Sequence, residues 1–196
     1  MIVYVLGGFL GSGKTTLLMR MASMYIKMGK TVTVLVNEMG EIGVDGTTIK
    51  SEGYNAVELP NGCICCSLSG ELQSSVKNIK RDYDPDVMLV EPTGLALPHK
   101  VEEVIRTSDV DLESIEIMGI IDCLRFDLFL EKREAFFKTQ IKYSDMILLN
   151  KMDVVTSEER NRIMSWISEE FQGIPVYAVS GKTGEGLVTA LQGLKK

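Results

Sequence analysis

Residues Gly8-Phe9-Leu10-Gly11-Ser12-Gly13-Lys14-Thr15 fit the pattern G-x-x-x-x-G-K-[ST]. They stand between a short apolar run, Ile2 to Leu6, and a segment from Lys14 to Lys27 that carries Leu17, Leu18, Met21 and Tyr25 at helical spacing. Strand, glycine-rich turn and helix in that order leave few folds open. The glycines let backbone N–H groups curl around phosphate oxygens, and the helix N-terminus adds its dipole. Lys14 is then expected to reach the β- and γ-phosphates and the Thr15 hydroxyl to meet Mg²⁺, with Gly8, Gly11, Ser12, Gly13 and Thr16 forming the cradle. An ordinary glycine-rich turn between strand and helix rarely carries the full pattern with both flanks correct.

Further apolar, β-rich runs lie at 31–36, 87–90, 117–121, 146–149 and 175–179, and a short strand is expected near Ala56-Val57. Most are continuous rather than alternating, as in strands buried on both faces. Helical patterns fall between them, at about 69–80, 97–106, 125–142, 157–171 and 184–193. This alternation predicts a three-layer α/β fold of P-loop NTPase type, with a mainly parallel central sheet flanked by helices. Residues 1–196 read as a single domain, without repeats or a linker; the stretch 38–62 is the main irregular region and is expected to be a functional loop.

The net charge of −6, with no basic run, disfavours nucleic acid as a partner. The apolar opening breaks at Gly7-Gly8, too early for a membrane span or a signal peptide, so a cytoplasmic location without membrane attachment is expected.

A phosphate loop does not choose a base. Asn150-Lys151-Met152-Asp153 follows an apolar strand, where α/β sheets present ligand loops. An aspartate there can accept both N1–H and the 2-amino group of guanine, whereas adenine would leave the carboxylate unpaired. Asp153 is thus the expected base reader, with Lys151 laid along the base and Asn150 pinning the loop. Val179-Ser180-Gly181-Lys182-Thr183-Gly184 resembles the S-A-K loop of GTPases and adds Ser180, Gly181 and Lys182 to the base side. Glu91 ends another apolar strand, before Pro92-Thr93-Gly94, where a carboxylate can meet Mg²⁺ or orient the attacking water. Lys14, Thr15 and Glu91 are therefore the expected catalytic set. The usual glutamine and an evident arginine finger are absent, so hydrolysis is expected to be slow, on the order of 10⁻⁴ to 10⁻² s⁻¹.

Three of the four cysteines fall within Asn61-Gly62-Cys63-Ile64-Cys65-Cys66. Clustered thiols in a reducing compartment point to metal or redox chemistry. Cys63, Cys65 and Cys66 can supply soft ligands to Zn²⁺, Co²⁺, Ni²⁺ or Cu⁺ if the backbone turns. Glu38 and Glu41 are candidates for a fourth ligand, and His99, the single histidine, is another. Cys123 reads as core.

Taken together, Gly7 to Thr16, Val36-Asn37-Glu38-Met39-Gly40-Glu41 with Val44-Asp45, the Asn-Gly-Cys-x-Cys-Cys segment, Glu91-Pro92-Thr93-Gly94 and Asn150 to Asp153 resemble the CobW-type GTPases, relatives of the nickel-insertion GTPases of urease and hydrogenase maturation. The resemblance implies a Mg²⁺·GTP site beside a transition-metal site, with zinc placed first and cobalt or nickel as alternatives. It implies metal delivery to a client metalloprotein or metal-cofactor protein. Glu38 would then stand between nucleotide and metal, counted with Thr15 and Glu91 among the residues at Mg²⁺. Two departures accompany it: no second C-terminal domain of CobW type is expected in residues 1–196, and Leu97 stands before Pro98 where the family often has an aspartate. The client would then be read by the GTPase surface or by a nucleotide-dependent homodimer. The rival readings are a P-loop small-molecule kinase, indifferent to guanine, and a regulatory GTPase whose thiols sense oxidants.

Overall fold

The computed structural model describes residues 1–36, 53–58 and 69–194. Among them, seven strands form one sheet: β1 (Ile2–Gly8), β2 (Val32–Val36), β3 (Asn55–Glu58), β4 (Val87–Glu91), β5 (Ser114–Asp122), β6 (Met146–Asn150) and β7 (Val176–Ala178). Six helices accompany them: α1 (Lys14–Lys27), α2 (Ser69–Tyr83), α3 (Pro98–Arg106), α4 (Phe126–Ile141), α5 (Ser157–Glu170) and α6 (Leu187–Gly193). The strand order is β3-β2-β4-β1-β5-β6-β7, and every pairing is parallel. The mainly parallel sheet expected from the apolar runs is, over these residues, wholly parallel.

Alternation along the strands separates two cores. Tyr4 and Leu6 of β1 face α1 and α6, joined by Val34, Leu89, Met118 and Leu148. Val3 and Val5 face the opposite side, where Leu72, Val76 and Ile79 of α2 and Val101 and Ile105 of α3 cover them. On that side Ile121, Ile147 and Leu149 lie under Phe126, Phe137 and Ile141 of α4 and Ile163 and Ile167 of α5. Spacings of three and four put each helical set on one stripe. Thr156 and Glu159 close a reciprocal capping box that starts α5.

Several expected boundaries move. β5 begins at Ser114 rather than 117, since polar Ser114 and Glu116 sit at the half-exposed start of the strand. The helix expected from 184 starts at Leu187, because Gly184 and Gly186 take left-handed φ values of 87° and 76° and turn the chain first.

β1 lies at the point where the chain changes sides: β2, β3 and β4 are on one flank, β5, β6 and β7 on the other. Ligand crevices of open α/β sheets form at such switch points, beyond the carboxyl ends of the strands. Register pairs Gly8 with Ile120, Val36 with Glu91, and Asp122 with Asn150, so Glu91, Asp122 and Asn150 share an edge with the glycine loop.

Gly7 and Gly119 are neighbours in the β1–β5 pairing. Their bare backbones admit the start of α3 and the end of α4: a Cβ on Gly7 would overlap Pro98 Cγ, and one on Gly119 would lie 2.5 Å from Ser144 Oγ. The Pro98 ring cannot swing aside. Gly7→Ala should therefore destabilise the fold by about 1–3 kcal/mol, the usual cost of overpacking a full core. A lower urea midpoint with an unchanged slope is the expected reading; an unshifted midpoint would mean that α3 gives way freely.

Candidate nucleotide site

The glycine loop leaves β1 at Gly8 and enters α1 at Lys14, with Gly11 and Gly13 at φ values of 74° and 91°. Three successive loop carbonyls are each taken by a side chain from the β5 and β6 ends. Arg125 Nη2 donates to Leu10 O at 2.7 Å, Lys151 Nζ to Gly11 O at 2.9 Å, and Asn150 Nδ2 to Ser12 O at 2.8 Å. In a trans peptide the C=O and the next N–H point in opposite directions. Carbonyls drawn toward β5 and β6 thus turn the N–H groups of Gly11, Ser12 and Gly13 to the inside of the loop, where that of Ser12 reaches Phe9 O at 3.1 Å. Lys14 is buried, and its Nζ donates to the same Phe9 O at 3.2 Å. N–H groups turned to one side of a loop in this way suit anionic oxygens. Ser12 Oγ is buried and has no partner among the described residues.

Asn150 also ties this loop to a second one. Its Oδ1 accepts the Gly181 N–H at 2.8 Å, so one amide joins residues 12 and 181. Arg20 on α1 grips the Gly181 and Lys182 carbonyls from the other side. The Ser180 hydroxyl is used within the turn, accepting the Thr183 N–H at 3.0 Å. Gly13, Thr16, Asn150, Lys151, Asp153, Gly181 and Lys182 line a cavity of about 360 Å³, with Asp153 exposed at its rim. Lys151 has φ 68°, rare for a side chain other than glycine and typical of residues held at ligand sites.

Glu91 is 4% exposed, with Oε1 accepting the Thr15 hydroxyl at 2.9 Å and 3.9 Å from Lys14 Nζ. A hydroxyl and a carboxylate brought together beside a lysine are hard oxygen donors of the kind Mg²⁺ takes, usually one or two from protein with the rest from water and phosphate. The donor set fits that ion.

The thiols Cys63, Cys65 and Cys66 and the carboxylates Glu38 and Glu41 lie outside the described residues. Among the described ones, no group of three or more His, Cys, Asp or Glu side chains is placed to hold a metal ion. His99 packs on the Tyr143 ring at 4.4 Å, and burial first, then Lys100, keeps its imidazole below the ordinary histidine range. Cys123 is core, as expected, and burial pushes its thiol up to about 12. No helix among the described residues is long and apolar enough to cross a membrane.

The family model for the CobW/HypB/UreG nucleotide-binding domain matches residues 2–177. The chain belongs to that family. Among CobW/HypB/UreG relatives, the zinc chaperone YeiR of Escherichia coli is 33% identical over 162 residues, 81% of this chain and 49% of its own length. The zinc chaperone CobW of Sinorhizobium is 29% identical over 221 residues, 97% of this chain and 61% of its own length. The chain thus spans about half the length of these curated relatives. The hydrogenase maturation factor HypB of Archaeoglobus fulgidus superposes with a TM-score of 0.69 at 19% identity, covering 100% of this chain and 89% of that one, a likeness of fold.

Within this CobW/HypB/UreG domain, sequence reasoning missed three residues that hold the loops: Asp122, Arg125 and Arg20. Asp122 ends an apolar run just as Glu91 does, a signal that was available beside Cys123. Nothing in the local pattern marks either arginine.

Asn150→Ala would strand the Ser12 carbonyl and the Gly181 N–H together. Each unmet buried polar group costs about 1–3 kcal/mol. A fall in unfolding free energy in that range, measured by urea titration, is the expected outcome; no loss would mean that the amide bridge holds nothing.

Proposed function

We propose that this domain binds GTP with Mg²⁺, hydrolyses it slowly, and uses the cycle to load and release a transition metal at Cys63, Cys65 and Cys66 with Glu38 or Glu41. Zinc is the first candidate, with cobalt and nickel behind it. The observation that carries the nucleotide half is the cavity joining the glycine loop to Asp153 and the 181–182 turn. The metal half is supported by the Cys-x-Cys-Cys segment and by the zinc chaperones among the relatives. The task is metal delivery by a cytoplasmic protein to a client metalloprotein or metal-cofactor protein, with a nucleotide-dependent homodimer as the form that could read the client. Residues 1–196 act as one nucleotide-binding domain.

In this reading the inward N–H groups and Lys14 hold the β- and γ-phosphate oxygens, and Asp153 accepts the two guanine donors while Lys151 lies along the ring. Thr15 and Glu91 would hold Mg²⁺, which neutralises charge on the transferred phosphoryl group. Glu91, beside Thr15, would meet Mg²⁺ or orient the attacking water. Without a glutamine beside Gly94, turnover stays at the slow end.

Asp153→Ala should weaken GTP binding more than a hundredfold, since two hydrogen bonds to a charged acceptor are worth about 3 kcal/mol or more. ATP affinity should barely change, because adenine never satisfies that carboxylate. Titrating both nucleotides on both proteins decides it: equal GTP and ATP affinities in the unmutated protein would remove the guanine reading and favour the small-molecule kinase.

The coupling of the two halves is tested by a four-sided measurement: zinc affinity with and without a non-hydrolysable GTP analogue, and analogue affinity with and without zinc, with zinc affinity in the GDP state measured beside them. Linkage requires both factors to be equal, typically about 5- to 150-fold. Cys65→Ser should abolish the zinc dependence and spare nucleotide binding. Zinc affinities equal in both nucleotide states would separate the GTPase from the thiols, and activity that followed peroxide rather than zinc would favour a redox sensor.

A further inference from the structure

Behind the glycine loop, one carboxylate holds two cations. Asp122 closes β5 with its side chain fully buried, while Lys151 and Arg125 are 31% and 39% exposed. Asp122 Oδ1 accepts the Leu124 N–H at 3.1 Å. Its Oδ2 accepts Arg125 Nε at 2.6 Å and Lys151 Nζ at 2.8 Å. Each cation spends its remaining reach on the loop, Arg125 on Leu10 O and Lys151 on Gly11 O. The carboxylate is the fixed member of this group, locked by strand, turn and burial. The two long side chains would otherwise keep the rotamer freedom usual for lysine and arginine.

We propose that Asp122 is a positioning residue for nucleotide binding: it holds Lys151 and Arg125 against consecutive loop carbonyls, so the loop N–H groups and the Lys151 stem are oriented before nucleotide arrives. This deepens the nucleotide reading above and rests on it. It also gives Arg125 a definite role. Its guanidinium lies on the carbonyl side of the loop, 5.4 Å from the centre of the Phe129 ring, and Phe129 stacks on Phe9 at 4.2 Å. Arg125 is thus a brace of the loop rather than a cation aimed at the γ-phosphate.

A brace acts before the chemical step. GDP and GTP share the β-phosphate and the base, so both should lose the same binding energy when the brace is cut. Loss of binding that is equal in ground and transition states appears in KM and leaves kcat in place.

The experiment titrates GDP and a non-hydrolysable GTP analogue, with steady-state GTP kinetics and thermal midpoints, on the unmutated protein, Asp122→Asn, Arg125→Ala and the double variant. Asp122→Asn keeps the size and the acceptor for Leu124 while removing the charge. It should weaken both nucleotides by one common factor, on the order of tenfold, as expected for lost hydrogen bonds between charged groups. KM should rise in step while kcat changes by less than about twofold. The double variant should lose less than the product of the two single losses, because part of the Asp122 effect runs through Arg125. Unchanged affinity in a folded Asp122→Asn protein, a loss confined to kcat, or full multiplicativity would each overturn the proposal. Should Asp122→Asn fail to fold, Arg125→Ala carries the test alone: a several-fold loss of GDP affinity with kcat preserved supports the brace, and no loss removes it. If the unmutated protein bound ADP as well as GDP, the guanine assignment would fail, and the brace would still be read from the loss of ADP affinity.

Discussion

Successive carbonyls at Leu10, Gly11 and Ser12, each held by a side chain from across the sheet edge, are the contacts on which the candidate site depends. A glycine-rich loop is a poor structure by itself, since glycine loses more conformational freedom on folding than any other residue. Its N–H groups would, unguided, point wherever solvent left them. Fixing the carbonyls fixes the N–H groups, because the peptide plane is rigid. The donors come from Asn150, Lys151 and Arg125, so the glycine loop is held by residues more than a hundred positions away in the chain.

The parallel sheet makes that assembly possible. Its register brings Glu91, Asp122 and Asn150 to the edge from which the glycine loop leaves β1. β1 sits at the switch point, flanked by β4 and β5, so its loop meets Glu91 on one side and the Asp122 group on the other. The bare backbone at Gly7 and Gly119 lets α3 and α4 close over the face that Val3 and Val5 share, and the cores on the two sides of the sheet hold the edge still. Asn150 then links the glycine loop and the 181–182 turn through one amide, which ties both to a common support.

In the proposed reading, the same edge is where nucleotide and metal would communicate. β2 ends at Val36 in register with Glu91, and β3 ends at Glu58 in register with Val36. The segments bearing Glu38, Glu41 and the thiols are therefore attached where the Thr15–Glu91 pair stands. An ordering of that neighbourhood by phosphate and Mg²⁺ has a short covalent path to the cysteines, which is the physical content of the coupling proposed above.

Much of this was legible without coordinates. Continuous apolar runs between helical stripes declared a parallel three-layer fold, because strands buried on both faces cannot alternate. The glycine loop, the Asn150 to Asp153 motif and the carboxylate that ends β4 stood out in the sequence as candidates, since each is a local pattern that would meet a demand of phosphate or guanine chemistry. The elements also fell close to their expected places, with errors where glycine turns delay α6 and where polar residues begin β5. Arg125 and Arg20 were illegible for a different reason. Their grip on the loops lies in contacts across 115 to 162 positions, from Arg125 to Leu10 and from Arg20 to Lys182. A local pattern can say that a loop should bind phosphate. Which side chains hold its carbonyls was decided only by the packing of β5 and β6 beside β1, because hydrogen-bond partners are chosen by distance in space and not along the chain.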